Sequence, residues 1–391
     1  MLAPPPALPD GDSPHPCTLA ALTFSLLLAA CGTAGRGPQP EPVRPADARA
    51  LIVSLLPPGI PDRAGWATDL HAALTTLELV PSSDNICAVL AVTEQESTFQ
   101  VDPPVPRLAE ITWQEIDRRA ERIGVPALVV RTALRLASPD GRSYAARIDA
   151  ARTEKELSRI FEDFIGMVPL GRRLFGDYNP VRTGGPMQVS IAYAEHHAAA
   201  RPYPYPVDDG LRNEVFTRRG GLYFGTAHLL DYPVDYDRML YRFADFNAGH
   251  YASRNAAFQH ALSIATGIPL VLDGDLVRHG DEGSDRRPGS TESAALSLGP
   301  RLDLGAAAIR RALEQGQGPG FERTALYREV FALAERAEGR ALPRAVLPRI
   351  ALQSPKITRK LTTEWFASRV EARYRRCLAR ARTQSAGPSP G

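Results

Sequence analysis

Apolar positions along this chain recur with a spacing near 3.6 rather than 2, and the pattern predicts a mainly α-helical protein. "RAGWATDLHAALTTLELV" (63–80) carries one such stripe. "DNICAVLAVTEQES" (84–97) follows "PSS", with Asp84 as its expected N-cap, and its apolar run gives way to Glu94 and Glu96. "TWQEIDRRAERIG" (112–124) and "TEKELSRIFEDFIG" (153–166) each open with Thr and Glu in capping-box spacing and stop at a glycine. Further helices are expected at 234–249, 252–267, 304–316, 323–339 and 363–381. No sustained period-2 pattern marks a strand, and "LYF" (222–224) and "PLVLDGDL" (269–276) read as short strands or turns. "YNPVRTGGPM" (178–187) and the polar stretch 272–290 read as loops, the second long enough to be functional.

The first fifty residues follow a different logic. "TLAALTFSLLLAAC" (18–31) is an uncharged apolar run with the length of a signal-peptide core, too short to span a bilayer. Its ending, "LAAC", resembles the lipobox of bacterial lipoproteins. That resemblance implies an acylated Cys31, and the absence of Asp after it implies the outer membrane. The stretch before the run holds no Lys or Arg, a departure from the usual basic start of a signal peptide. Residues 32–50 are rich in Gly, Pro and polar side chains and read as a flexible linker. The expected organisation is a lipoprotein signal peptide (1–31), this linker, a catalytic domain (51–300) with a helical insert at about 105–178, and a helical C-terminal lobe (301–391).

Composition adds limits. The chain has 391 residues, 44% of them hydrophobic, which is enough for a sizeable core. A formal net charge of +2 gives no global electrostatic case for nucleic acid. Of the four cysteines, Cys17 and Cys31 fall in the leader. Cys87 and Cys377 remain; in an oxidising compartment they either pair, tying the tail to the helix of Glu96, or stand as separate buried thiols. "EHH" (195–197) lacks the i, i+4 spacing of a zinc helix, and His228, His250 and His260 are scattered in sequence, so no metal and no cofactor is expected. The basic "RYRRCLARAR" (373–382) reads as a solvated helix end, with anionic cell-wall or lipid contact as the alternative.

Three segments carry candidate chemistry: "QESTF" (95–99), "GGPMQVS" (184–190) and "FADFNAGH" (243–250). Their order and residue types resemble the three signatures of the family 1 lytic transglycosylases, which have a lysozyme-like helical fold. The whole chain also resembles a bacterial lipoprotein family, domain of unknown function 1615. The first resemblance implies a lysozyme-like catalytic core acting on the glycan strands of peptidoglycan. In that family a single Glu protonates the leaving oxygen, the substrate's N-acetyl group stabilises the cation, and the same Glu then deprotonates the 6-hydroxyl to give a 1,6-anhydro ring. By position that Glu is Glu96, with Ser97 positioning it, Met187 shaping the sugar site, and Gln188 and Asn247 contacting sugar. Phe246 stands where the family has Tyr, which removes a hydroxyl that orients the Glu unless Tyr193, Tyr223 or Tyr251 supplies it. Gln188 follows Glu96 by 92 positions, wider than in the family, and the helices between them are expected to pack as a lobe beside the cleft.

The residues have their own physical reading. A carboxyl donates a proton near neutrality only if burial raises its pKa, and Glu96 ends an apolar helix beside Phe99. Two helical positions turn about 200°, so Glu94 and Glu96 face opposite ways and do not form a pair. A muramidase that uses water would need a second carboxylate, Asp102 or Asp177. A wall-binding lipoprotein would keep the cleft without the reaction.

Overall fold

A computed structural model describes residues 44–278, 287–352 and 361–385. The apolar run 18–31, Cys31 and residues 32–43 lie outside the described residues. The helices, in chain order, are α1 (Pro45–Leu55), α2 (Arg63–Thr76), α3 (Ser83–Ser97), α4 (Leu108–Arg122), α5 (Ala127–Ala133), α6 (Tyr144–Ala150), α7 (Glu154–Gly166) and α8 (Gly171–Phe175). A two-residue hairpin, β1 (Thr183–Gly184) and β2 (Val189–Ser190), precedes α9 (Ile191–Ala200), α10 (Leu211–Val215), α11 (Arg218–Leu230), α12 (Met239–Ala248) and α13 (Ala252–Thr266). Then come α14 (Ser290–Ser297), α15 (Gly299–Leu302), α16 (Ala306–Glu314), α17 (Ala325–Glu338), the pair β3 (Ala351–Leu352) and β4 (Leu361–Thr362), and α18 (Thr363–Ser385). The fold is mainly α, as the periodicity predicts.

Several boundaries differ from expectation, each for a local reason. The linker was expected to run to residue 50, yet α1 begins at Pro45. Proline is preset for a first helical turn, and Ala48, Ile52 and Leu55 form a stripe that is fully buried. The cap of α3 is Ser82, whose side chain accepts from the Asn85 amide; Asp84 lies within the first turn. Thr112 does not open a helix: α4 starts at Leu108, and the Thr112 hydroxyl donates to the Leu108 carbonyl. Glu115 instead pairs with Arg118 and Arg119 on its own helix. The second capping box, Thr153 with Glu156, is present with both hydrogen bonds. "LYF" lies inside α11, whose residues 220–227 are all buried, so its apolar run has no helical stripe to betray it.

Three apolar clusters organise the chain. The first gathers α1, α2, α3, one face of α11, α12 and α18. The second gathers α4, α6 and α7 with the end of α2, α9 and the other face of α11. The expected insert is therefore no separate lobe: Leu108, Tyr144, Ile148 and Ile160 share a core with Phe216, Tyr223 and Phe224. The third joins α13 to α14, α16 and α17. The expected lobe 301–391 is likewise redrawn. It takes in α13, while α18 leaves it and returns to the first cluster through Phe366, Val370, Tyr374 and Cys377, one helical stripe.

Polar groups pin these layers together. Arg254 on α13 is buried, donates to the carbonyls of Gly316 and Gly318, and lies over the rings of Tyr251 and Phe321. Gln259 binds the 273–275 loop through both ends of its amide. On α18, Arg373 and Arg376 reach Glu94 of α3 at 3.5 and 3.3 Å, and the Tyr374 hydroxyl donates to Asp84 at 2.6 Å.

Cys87 of α3 and Cys377 of α18 form a disulfide across a sequence separation of 290. Closing so long a loop removes much unfolded-chain entropy. Reduction, or Cys377→Ser, is expected to lower unfolding stability by about 2–5 kcal/mol in a denaturant titration. An unchanged midpoint would show that the bridge carries no stability.

Candidate active site

α3 is buried on nearly all sides from Ile86 to Thr93 and emerges again in its last turn. There Glu94 turns to the α18 arginines, and Glu96, on the other side, is half-buried. The Ser97 hydroxyl donates back to the Thr93 carbonyl at 3.1 Å. This hydrogen bond ties Ser97 to its own helix and does not reach the expected partner, Glu96. The chain then makes an unusual exit. Thr98 (φ 52°) and Phe99 (φ 61°) are both left-handed, at a cost of about 1–2 kcal/mol each. Phe99 repays the strain by burial, which is worth about 1.5–3 kcal/mol for a side chain of its size. Its ring meets Trp66 edge-on at 5.4 Å. Thr98 is left on the surface beside Glu96.

The second segment is the turn of the β1–β2 hairpin. Thr183 pairs with Ser190 and Gly184 with Val189, and the Gln188 amide donates to the Gly185 carbonyl. Gly185 and Gln188 both take positive φ, 71° and 50°. The Gln188 side chain folds onto its own turn, accepting from the Thr183 hydroxyl and donating to the Gly185 carbonyl, each at 3.3 Å. Met187 points inward and is fully buried. It packs so close to α11 that a Cβ on Gly225 would lie 2.4 Å from its sulfur and 2.7 Å from its Cβ. A Cβ on Gly221 would meet Pro186 at 2.4 Å. The glycines of α11 are thus the surface on which the hairpin rests.

The third segment ends α12. Asp245, a residue the sequence reading passed over, is fully buried. Burial pushes its pKa up, against four donors that favour the carboxylate. Those are the Tyr232 and Tyr236 hydroxyls (3.1 and 2.7 Å) and the Tyr251 and Ser253 amides (3.0 and 2.7 Å). They hold Tyr251 at φ 67° and cap α13 from outside it. Asn247 is exposed, and its Oδ1 accepts from the Thr363 hydroxyl at the start of α18 (3.0 Å). Phe246 packs at the edge of the first cluster.

Histidines scattered in sequence come together here. His228 of α11 stacks on His250 at 4.5 Å, and His250 stacks on Tyr232 at 4.1 Å. The Tyr193 ring lies 4.6 Å from His228, which itself lies 5.1 Å from the Phe246 ring. Of the three tyrosines considered for the missing hydroxyl, Tyr193 is thus the one beside Phe246 through a single ring. Tyr223 is buried and donates to the Pro202 carbonyl, and Tyr251 lies under Arg254. Burial pushes His228 down to about 3, helped by His250, and lowers His250 and His197 as well. Of the alternative second carboxylates, Asp102 accepts from the Thr153 hydroxyl and Asp177 is exposed. Among the described residues no group of three His, Cys, Asp or Glu could hold a metal ion.

The three segments, distant in sequence, meet on one core. Val92 and Phe99, Met187, Phe243 and Ala244 all belong to the first cluster, with Phe246 against it. α11 packs against α3, β2 and α12 and joins them. The stack also has a pH signature. Its histidines have folded pKa values below the ordinary 6.5, so unfolding takes up protons as pH falls through that value. Stability is fully present above pH 6.5 and is lost as pH falls below it, for His228 by about 1.4 kcal/mol per unit down to about pH 3. Melting temperature against pH should fall less steeply in His228→Gln than in wild type; equal slopes would contradict this.

The family described as Protein of unknown function (DUF1615) matches residues 59–380. A relative from Escherichia coli (strain K12), Uncharacterized protein YaiW, is 52% identical over 364 residues, covering 93% of this chain and 98% of that protein. No solved structure matches the chain. With the family spanning most of the chain and such a relative along almost all of it, this protein belongs to the DUF1615 family.

Proposed function

We propose that this protein is a membrane-anchored lytic transglycosylase that cuts peptidoglycan glycan strands between N-acetylmuramic acid and N-acetylglucosamine. One observation carries the reading: the three segments that resemble the transglycosylase signatures contribute Phe99, Met187 and Phe243 to one core, and α11 packs against α3, β2 and α12 alike. Of the nine left-handed non-glycine residues among the described residues, Thr98, Phe99 and Gln188 fall in these segments and Tyr251 directly follows the third. Such strain persists at sites where the fold holds side chains for a task.

In this reading Glu96 gives its proton to the glycosidic oxygen as the bond to the muramic C1 breaks. The substrate's N-acetyl oxygen stabilises C1. The Glu96 carboxylate then takes the proton of the 6-hydroxyl as that oxygen bonds to C1, closing the anhydro ring without water. Glu96 lies apart from Glu94, whose charge is neutralised by Arg373 and Arg376. Asn247 accepts from Thr363 through Oδ1, which leaves its amide N–H groups for a sugar oxygen. Tyr193 supplies the hydroxyl that Phe246 lacks.

Lipid attachment at Cys31 and a periplasmic, outer-membrane location belong to the same proposal. The Cys87–Cys377 bridge supports an oxidising compartment. A wall-binding protein without the reaction is the second reading, favoured by Phe246, whose ring is packed and whose carbonyl is engaged by His228 at 3.2 Å.

Digestion of purified sacculi separates the two. Wild type should release anhydro-ended muropeptides, and Glu96→Gln should release at least about 100-fold less. Sacculi bound but left uncut by folded wild type would favour the second reading, and sacculi neither bound nor cut would remove both.

A further inference from the structure

The α4–α8 side of the second core opens into an apolar cavity of about 570 Å³. Ile111, Ile116, Ile123, Val130, Leu157 and Phe161 supply much of its apolar lining. This size and lining are those of a small-molecule site. The apolar surface does not stop at the mouth. Ile123 stands at the lip, 73% exposed, and Leu128 and Val129 follow on α5. Arg119, on the rim, donates to the Tyr178 carbonyl and so ties the end of α4 to the turn that carries Phe175 and Tyr178. Of the 14 large apolar side chains exposed among the described residues, ten lie between 123 and 178. A soluble surface seldom concentrates apolar area in this way without a partner for it.

The charges in the lining, three arginines against the carboxylates of Glu115 and Glu154, narrow the partner. Arg118 and Arg119 are paired with Glu115. Arg182, also on the rim, is exposed and has no ion pair among the described residues. A slot with apolar walls, an aliphatic and aromatic fringe, and the Arg182 guanidinium together match an acyl chain attached to an anionic head. We propose that the α4–α8 face seats on a bilayer, with one acyl chain of an anionic phospholipid entering the cavity and its phosphate meeting Arg182. The cavity and its fringe carry this proposal, which is independent of the chemistry assigned to Glu96.

The test uses the full chain with Cys31→Ser, so that no covalent lipid contributes. Flotation with phosphatidylglycerol/phosphatidylethanolamine vesicles is compared with flotation on phosphatidylcholine vesicles. The apolar run 18–30 is common to every variant, so differences between variants report on the α4–α8 face. Ile123→Asp with Leu128→Asp should lower partitioning at least about tenfold. Both positions are exposed, so the melting temperature should hold. Arg182→Glu should weaken binding severalfold on the anionic vesicles and leave the phosphatidylcholine value unchanged. In parallel, phosphatidylglycerol with a photoreactive acyl chain should label peptides of α4 and α7 in the unsubstituted face. Variants that partition like their parent, or labelling confined to other helices, would overturn the proposal.

Discussion

The close approach of the 184–187 turn to α11 is the constraint from which the rest of this molecule follows. α11 can serve two cores only because it is buried on both faces, and the hairpin can reach it only where side chains are missing. Cβ atoms on Gly221 and Gly225 would collide with Pro186 and Met187, and one on Gly185 would come within 2.1 Å of the Val215 carbonyl. Three glycines from two segments thus let the backbones meet. That contact buries Met187 in the first cluster while Val189 enters the second. Everything assigned to the hairpin, including the place of Gln188 and the capping of α9 by Ser190, depends on it.

Around that contact the termini close the structure. α3 presents Glu96, while α18 covers the opposite side through Arg373, Arg376, Tyr374 and the disulfide. Asp245 plays the corresponding part at the end of α12. A buried carboxylate is costly unless donors satisfy it, and four donors do so, from a loop, a turn and the start of α13. It fixes the α12–α13 corner where Phe246, Asn247 and the histidine stack are held.

Much of this was legible in the chain, and the failures have physical causes. Helices with one apolar face, such as α7 and α17, show their period plainly, and the Thr153–Glu156 box is read from spacing alone. α11 leaves no helical period in the sequence, because a helix buried all round has no polar face to give it one. α1 reads as linker in the sequence because its stripe completes only at Ile52 and Leu55, beyond the proline-rich stretch. Thr112 with Glu115 has capping spacing but lies mid-helix, where tertiary contacts decide. The motif segments were visible as residue types. Asp245 and the stacking of His228 on His250 were not, since single buried polar residues far apart in sequence carry no local signal.

The central claim is that Glu96 breaks a glycosidic bond by intramolecular attack, without water. The most direct measurement is mass analysis of the products released from purified sacculi in water enriched in heavy oxygen. The account predicts anhydro-muramic ends that contain no heavy oxygen. Reducing ends carrying heavy oxygen, or no released fragments from folded protein, would contradict it.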